Sequence, residues 1–294
     1  MEHIKLSYKG CTAEVQLAGA QLASFKGTNG REVIWQADPA VWPQHGPIMF
    51  PVCGTARDAH IKIGGVTYDM PKHGFVRTAP FEVARIGEDF VELVLGRRPE
   101  TDNMYPFDFV LHVTYTLFEN GVTCTFLVEN KGSRVMPFCI GGHPGFNVPM
   151  ADGAAYEDYQ IVFEKQEEGI NSLAPGGGII TAREKLTELA DGKVLPLNHA
   201  LFDERDALLL EDINSRSVDV VHKDTGKGIH FAFPKFPMLA IWSMPKKNAP
   251  YLCLEPWIGT PEHAEETNTM EEKPHVIKLE PGRCFKAWFT VSLI

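Results

Sequence analysis

The chain has 294 residues, 44% hydrophobic and 22% charged, a composition that supports a large core and excludes disordered or collagen-like chains. Its formal net charge of −10 argues against nucleic acid and anionic membrane surfaces as partners, because both attract Lys/Arg-rich patches. A small neutral ligand fits better, and a single domain over residues 1–294 is expected, since large all-β folds often exceed the usual domain length as one unit.

The N-terminal MEHIKLSYKG carries no apolar run of a signal sequence, and no later stretch reaches the roughly 18 apolar residues of a membrane span. A cytoplasmic location is the expectation. Short strands come next: TAEVQLAGA, REVIWQAD, FEVARIG and DFVELVLGRR, separated by Gly, Asn, Asp or Pro as in an all-β sandwich. In FVLHVTYTLFENGVTCTFLVEN, Phe109, Leu111, Val113, Tyr115 and Leu117 share one face, Asn120-Gly121 turns the chain, and Val122, Cys124, Phe126 and Val128 alternate on return. SVDVVHKDTGKGIHFAFP reads as a second hairpin. The tail RCFKAWFTVSLI alternates again. Helix is scarce: only AREKLTELADGK and HAEETNTMEEK hold helix formers for more than two turns, without a strong apolar stripe. The expected architecture is an all-β, large antiparallel sandwich with few short helices. Six cysteines, Cys11, Cys53, Cys124, Cys139, Cys253 and Cys284, have mostly apolar neighbours and no C-x-x-C pair, which suits buried reduced thiols.

Three stretches place polar residues where packing alone would not. YDMPKHGFVR holds His73 and Arg77, shortly after FPVCGTARD with Arg57. GGHPGF holds His143 between residues that let the backbone approach a ligand and fix the base of the imidazole. YLCLEPWIG puts Glu255 on one strand face with Tyr251, Cys253 and Trp257, and a carboxylate in such a run is seldom fully buried unless something pairs with it. Each has a plainer reading: structural histidines, surface ion pairs for the arginines, core aromatics for Trp242 and Trp257, and a buried salt bridge for Glu255.

Together they point to sugar chemistry. The C–H face of a pyranose stacks on tryptophan while its hydroxyls seek charged partners, and histidines exchange protons near neutral pH. A glycoside hydrolase needs two flanking carboxylates and only one stands in a distinguished setting. A histidine–carboxylate metal triad lacks the H-x-H spacing of cupin-like sites. No cofactor and no metal are called for, and oligomeric state leaves no signal.

The motifs FPVCG, YDMPKHGFVR, GGHPGF, LFDERDALLL and AIWSMP leading into APYLCLEPWIG, in that order over nearly the whole chain, resemble the aldose 1-epimerases, or galactose mutarotase-like proteins, and specifically their LacX-like branch. The resemblance implies a large antiparallel β-sandwich that interconverts aldose anomers, with Glu255 as general base, His143 as general acid and His73 near the ring oxygen. Arg57, Arg77, Trp242 and Trp257 are the expected sugar-binding side chains. Arg57 stands two positions beyond the place where relatives often carry a basic residue after the glycine. The alternatives are a non-catalytic carbohydrate-binding or sensing protein and a hexose-6-phosphate mutarotase. Neutral aldoses are the expected substrates, because one arginine makes a poor phosphate site.

Overall fold

The computed structural model describes residues 3–189 and 191–294. Two sheets dominate it. In the larger, nine strands run in the order Val194–Pro196, Tyr159–Phe163, Ser217–His222, Gly228–Ala232, Cys284–Leu293, Gly121–Asn130, Phe109–Phe118, Phe90–Gly96 and Glu82–Ile86. In the smaller, Ala207–Leu210, Met238–Trp242, Tyr251–Ile258, Ile140–Gly142 and Ile48–Met49 lie side by side, and Gly145–Asn147 joins Tyr251–Ile258 as well. All ladder pairings within these sheets are antiparallel.

Period-two patterning builds this arrangement. Phe109, Leu111, Val113, Tyr115 and Leu117 are buried on one side of their strand while the residues between them stay partly exposed. Asn120 takes φ +57° at the turn, a conformation asparagine tolerates. The inward faces of both sheets meet in one apolar core, where Phe146 of the smaller sheet lies 5.6 Å from Phe231 of the larger.

Tyr251–Ile258 departs from simple alternation: all eight residues are buried. Leu252, Leu254 and Ile258 enter the main core, whereas Tyr251 and Cys253 join a separate aromatic cluster with Trp35 and Trp42. The strand is a partition with an apolar compartment on either side.

The helix expectations fail in an instructive way. Within AREKLTELADGK, Ala182–Lys185 pairs as a strand with Ile170–Leu173 and Thr187–Leu189 makes a 3₁₀ turn; Ala190 lies outside the described residues. Leu186 and Leu189 are buried, but with no helical stripe the backbone bonds go to a neighbouring strand. HAEETNTMEEK contributes only the 3₁₀ turn Met270–Glu272. The α-helix among the described residues is Ala200–Arg205, too short for a periodic signal, with the Asn198 side chain accepting the Leu201 N–H at 3.1 Å. REVIWQAD forms no ladder strand, only isolated bridges at Glu32 and Ile34. Cys284 is exposed, unlike the other five thiols. No helix among the described residues is long and apolar enough to cross a membrane.

Candidate active site

The smaller sheet sets two of the candidate residues against each other by register. Gly141 pairs with Trp257 on one flank and Gly145 with Cys253 on the other. Both flanks keep the same offset, so position 143, where the ladder is interrupted, falls opposite position 255. Pro144 has no N–H to restore the ladder there, although its carbonyl still accepts the Leu254 N–H at 3.3 Å. On the opposite side Glu255 pairs with Ala240, and both residues line the same cavity.

The result is a contact of 3.2 Å between His143 Nε2 and Glu255 Oε1, both residues buried. Their remaining polar atoms, His143 Nδ1 and Glu255 Oε2, have no hydrogen-bond partner. Burial pushes the Glu255 carboxyl well above the usual carboxylate range, against the pull of the Lys72 charge. Burial also drives the His143 imidazole down to about 3. Both shifts favour a neutral pair sharing one proton. Trp42 packs on the His143 ring at a tilt of 30° with centroids 5.0 Å apart, and Trp242 meets it edge-on at 5.6 Å.

His73 comes from a tight turn in which it adopts φ +65° and Gly74 φ +75°. A Cβ at position 74 would stand 2.0 Å from the Phe50 carbonyl oxygen, so the turn requires glycine there. The His73 ring packs edge-on against both His143 and Trp257, with centroids 5.6 Å away in each case. Burial keeps the imidazole neutral, with its pKa well below the usual histidine value.

These groups line a cavity of about 300 Å³, at the lower end of small-molecule sites, which Arg77, Trp242 and Trp257 also line. A larger cleft of about 590 Å³ opens beside Arg31 and the C-terminal Ile294, but no buried carboxylate or histidine lines it. Of the two, the smaller cavity is the one lined by a buried carboxylate and buried histidines.

The structure thus brings Glu255, His143, His73, Arg77, Trp242 and Trp257 together. Arg57 is placed elsewhere. It is absent from the cavity wall, and its guanidinium donates to the fully buried Glu262 at 2.8 Å and to the carbonyls of His263 and Ala264. Trp42, Gln44, Lys72 and Asp206 also line the cavity, and sequence reasoning did not place them in the site. Gln44 accepts a hydrogen bond from Arg77 at 2.5 Å. Asp206 ends the short helix with φ +69°. Its segment, LFDERDALLL, stood out as a motif, but one aspartate in an acidic run gives no sign of facing inward. Lys72 adjoins His73, a neighbour relation that was the available signal.

Comparison with known proteins places the whole chain among its relatives. The model of the aldose 1-epimerase family matches residues 2–292. The plasmid-encoded protein LacX of Lactococcus lactis subsp. lactis is 34% identical over 298 residues, covering 99% of each chain. A galactose mutarotase-like protein of Lactobacillus casei superposes with a TM-score of 0.91 at 28% identity, covering 100% of both chains. A galactose mutarotase related enzyme of Lactobacillus acidophilus gives a TM-score of 0.91 and 28% identity over 100% of this chain and 97% of its own.

Proposed function

Because the chain belongs to the aldose 1-epimerase family, we propose that it interconverts the α and β anomers of a monosaccharide by acid/base opening of the sugar ring. The observation that carries this reading is the 3.2 Å contact between two buried, oppositely shifted groups at a cavity of small-molecule size. A proton moved from Glu255 to His143 across that contact makes the carboxylate a base and the imidazolium an acid. Glu255 takes the proton of the C1 hydroxyl, His143 delivers its proton to the ring oxygen, and the bond between C1 and that oxygen breaks. Rotation about C1–C2 presents the other face of the aldehyde. Reclosure returns both protons and leaves the opposite anomer.

Each positioned acid or base contributes typically about 10²–10⁴-fold, so the pair supplies roughly 5–11 kcal/mol of barrier lowering. His73 supports the reaction as a neutral donor towards the ring oxygen, and Trp242 and Trp257 offer faces to the C–H side of the pyranose. The test is NMR of freshly dissolved single anomers of several aldoses and sugar phosphates. Catalysed equilibration supports the reading; saturable binding without faster equilibration would leave a carbohydrate-binding protein instead.

A further inference from the structure

Cys253 has no place in the sugar chemistry, yet it stands beside it. It lies two residues from Glu255 on the same side of the partition strand, and it is fully buried. One ligand atom each from His143, Cys253 and Glu255 fall within 4.8 Å of one another. We propose that these three residues form a binding site for a thiophilic divalent cation of the zinc class, and that occupancy shuts the reaction centre.

The donor set selects the metal. One thiolate, one imidazole and one carboxylate suit zinc, whereas calcium and magnesium require oxygen ligands. Zinc bonds of about 2.0–2.3 Å in a tetrahedron place ligand atoms roughly 3.3–3.8 Å apart. The His143–Glu255 contact, at 3.2 Å, stands close to that spacing, and the thiol has at most about 1.5 Å to close. With the ion on the Nε2 side, His143 Nδ1 keeps the ring hydrogen, and Glu255 Oε2, buried and without a hydrogen-bond partner, leaves the carboxylate free to turn towards the ion. The fourth position faces the cavity, since His143 and Glu255 line it.

Charge balances on binding. Zn–S, Zn–N and Zn–O bonds form, the thiol loses its proton, and the single proton shared by His143 and Glu255 leaves with it. No oxidation or reduction occurs. Lys72 and Asp206, also on the cavity wall, act on each other with opposite charge. The ion occupies lone pairs that the base and the acid need, so it is an inhibitor rather than a cofactor. The site rests on geometry alone; only its inhibitory consequence rests on the function proposed above.

The experiment uses the chelator-treated full chain carrying Cys284→Ser, which removes the exposed thiol. Zn²⁺ is titrated by calorimetry and Co²⁺ by absorbance. Expected are one zinc per chain, a near-ultraviolet thiolate-to-cobalt charge-transfer band, and inhibition of anomer interconversion that sugar relieves. Cys253→Ser and Cys253→Ala, each in that background, should keep metal-free turnover, lose the band, and weaken zinc binding by roughly tenfold or more. Absence of the band in the Cys253-containing protein, or unchanged zinc affinity in the Cys253 variants, overturns the proposal. The cobalt band needs no turnover, so failure of the sugar reading leaves this test intact.

Discussion

His73 and Gly54 hold each other by two hydrogen bonds: the His73 N–H donates to the Gly54 carbonyl at 2.8 Å, and His73 Nδ1 accepts the Gly54 N–H at 3.0 Å. An Nδ1 that accepts carries no proton, so the neutral ring bears its hydrogen on Nε2. On the proposed chemistry His73 is therefore a fixed donor whose charge does not change. His73→Asn should lower kcat by about tenfold, while His143→Asn should lower it by about 10²-fold or more, because only His143 gives up its proton. Steady-state kinetics on one sugar checks the order; small and equal losses would reduce both to structural residues.

Glu255→Gln keeps the shape of the side chain and removes the base. Anomer interconversion should fall by at least about 10²–10⁴-fold with the circular dichroism spectrum unchanged. Wild-type turnover in this variant would refute the proposed chemistry.

The same carboxyl shapes the response to acid. His73 and His143 are held below the usual histidine value by burial, His143 at about 3. Each contributes stability that is whole above the unfolded value of about 6.5 and is lost as pH falls below it. Glu255 is raised by burial, so its contribution runs the other way and is lost as pH rises through its folded value. Below the usual histidine value the two imidazoles together oppose the single carboxyl, so acidification should lower stability. Glu255→Gln removes the opposing contribution and should make the fall steeper, measured as urea unfolding free energy at several pH values.

Arg57→Ala should lower the melting temperature, since the fully buried Glu262 would lose its cation. Turnover should stay within about twofold of wild type, because Arg57 does not reach the cavity. A kcat/KM loss much larger than this, in a protein that still melts normally, would return Arg57 to the site.

Substrate charge follows from the same wall. Asp206 and Glu255 line the cavity beside Lys72, and Arg77 already donates to Gln44, so no free arginine cluster awaits a phosphate. Glucose and galactose should show higher kcat/KM than glucose 6-phosphate. A tenfold preference for the phosphorylated sugar, lost in Arg77→Ala, would reverse this.

Much of this was legible in the chain because period-two alternation and turn residues carry their signal locally. The 109–130 hairpin, the 217–232 hairpin and the last strand follow from it. Glu255, His143 and His73 could be singled out because a carboxylate in an apolar strand and histidines beside glycine are unusual in themselves. What escaped depends on long-range geometry. Arg57 is drawn away by Glu262, 205 positions later, and Asp206 faces inward only because a six-residue helix ends there. The expected helix at AREKLTELADGK yielded to a strand partner that no local pattern announces.

The partition strand constrains how this protein can diverge. Because Tyr251–Ile258 is buried on both sides, a single-residue insertion or deletion within it would exchange the two sets of side chains and swing a leucine to where the carboxylate stands. Point substitutions there are felt by one compartment at a time, whereas changes of length are felt by both at once. Lineages that alter sugar choice are therefore expected to vary the connecting segments around the cavity, such as Ala174–Gly178, and to leave the spacing from Tyr251 to Ile258 untouched.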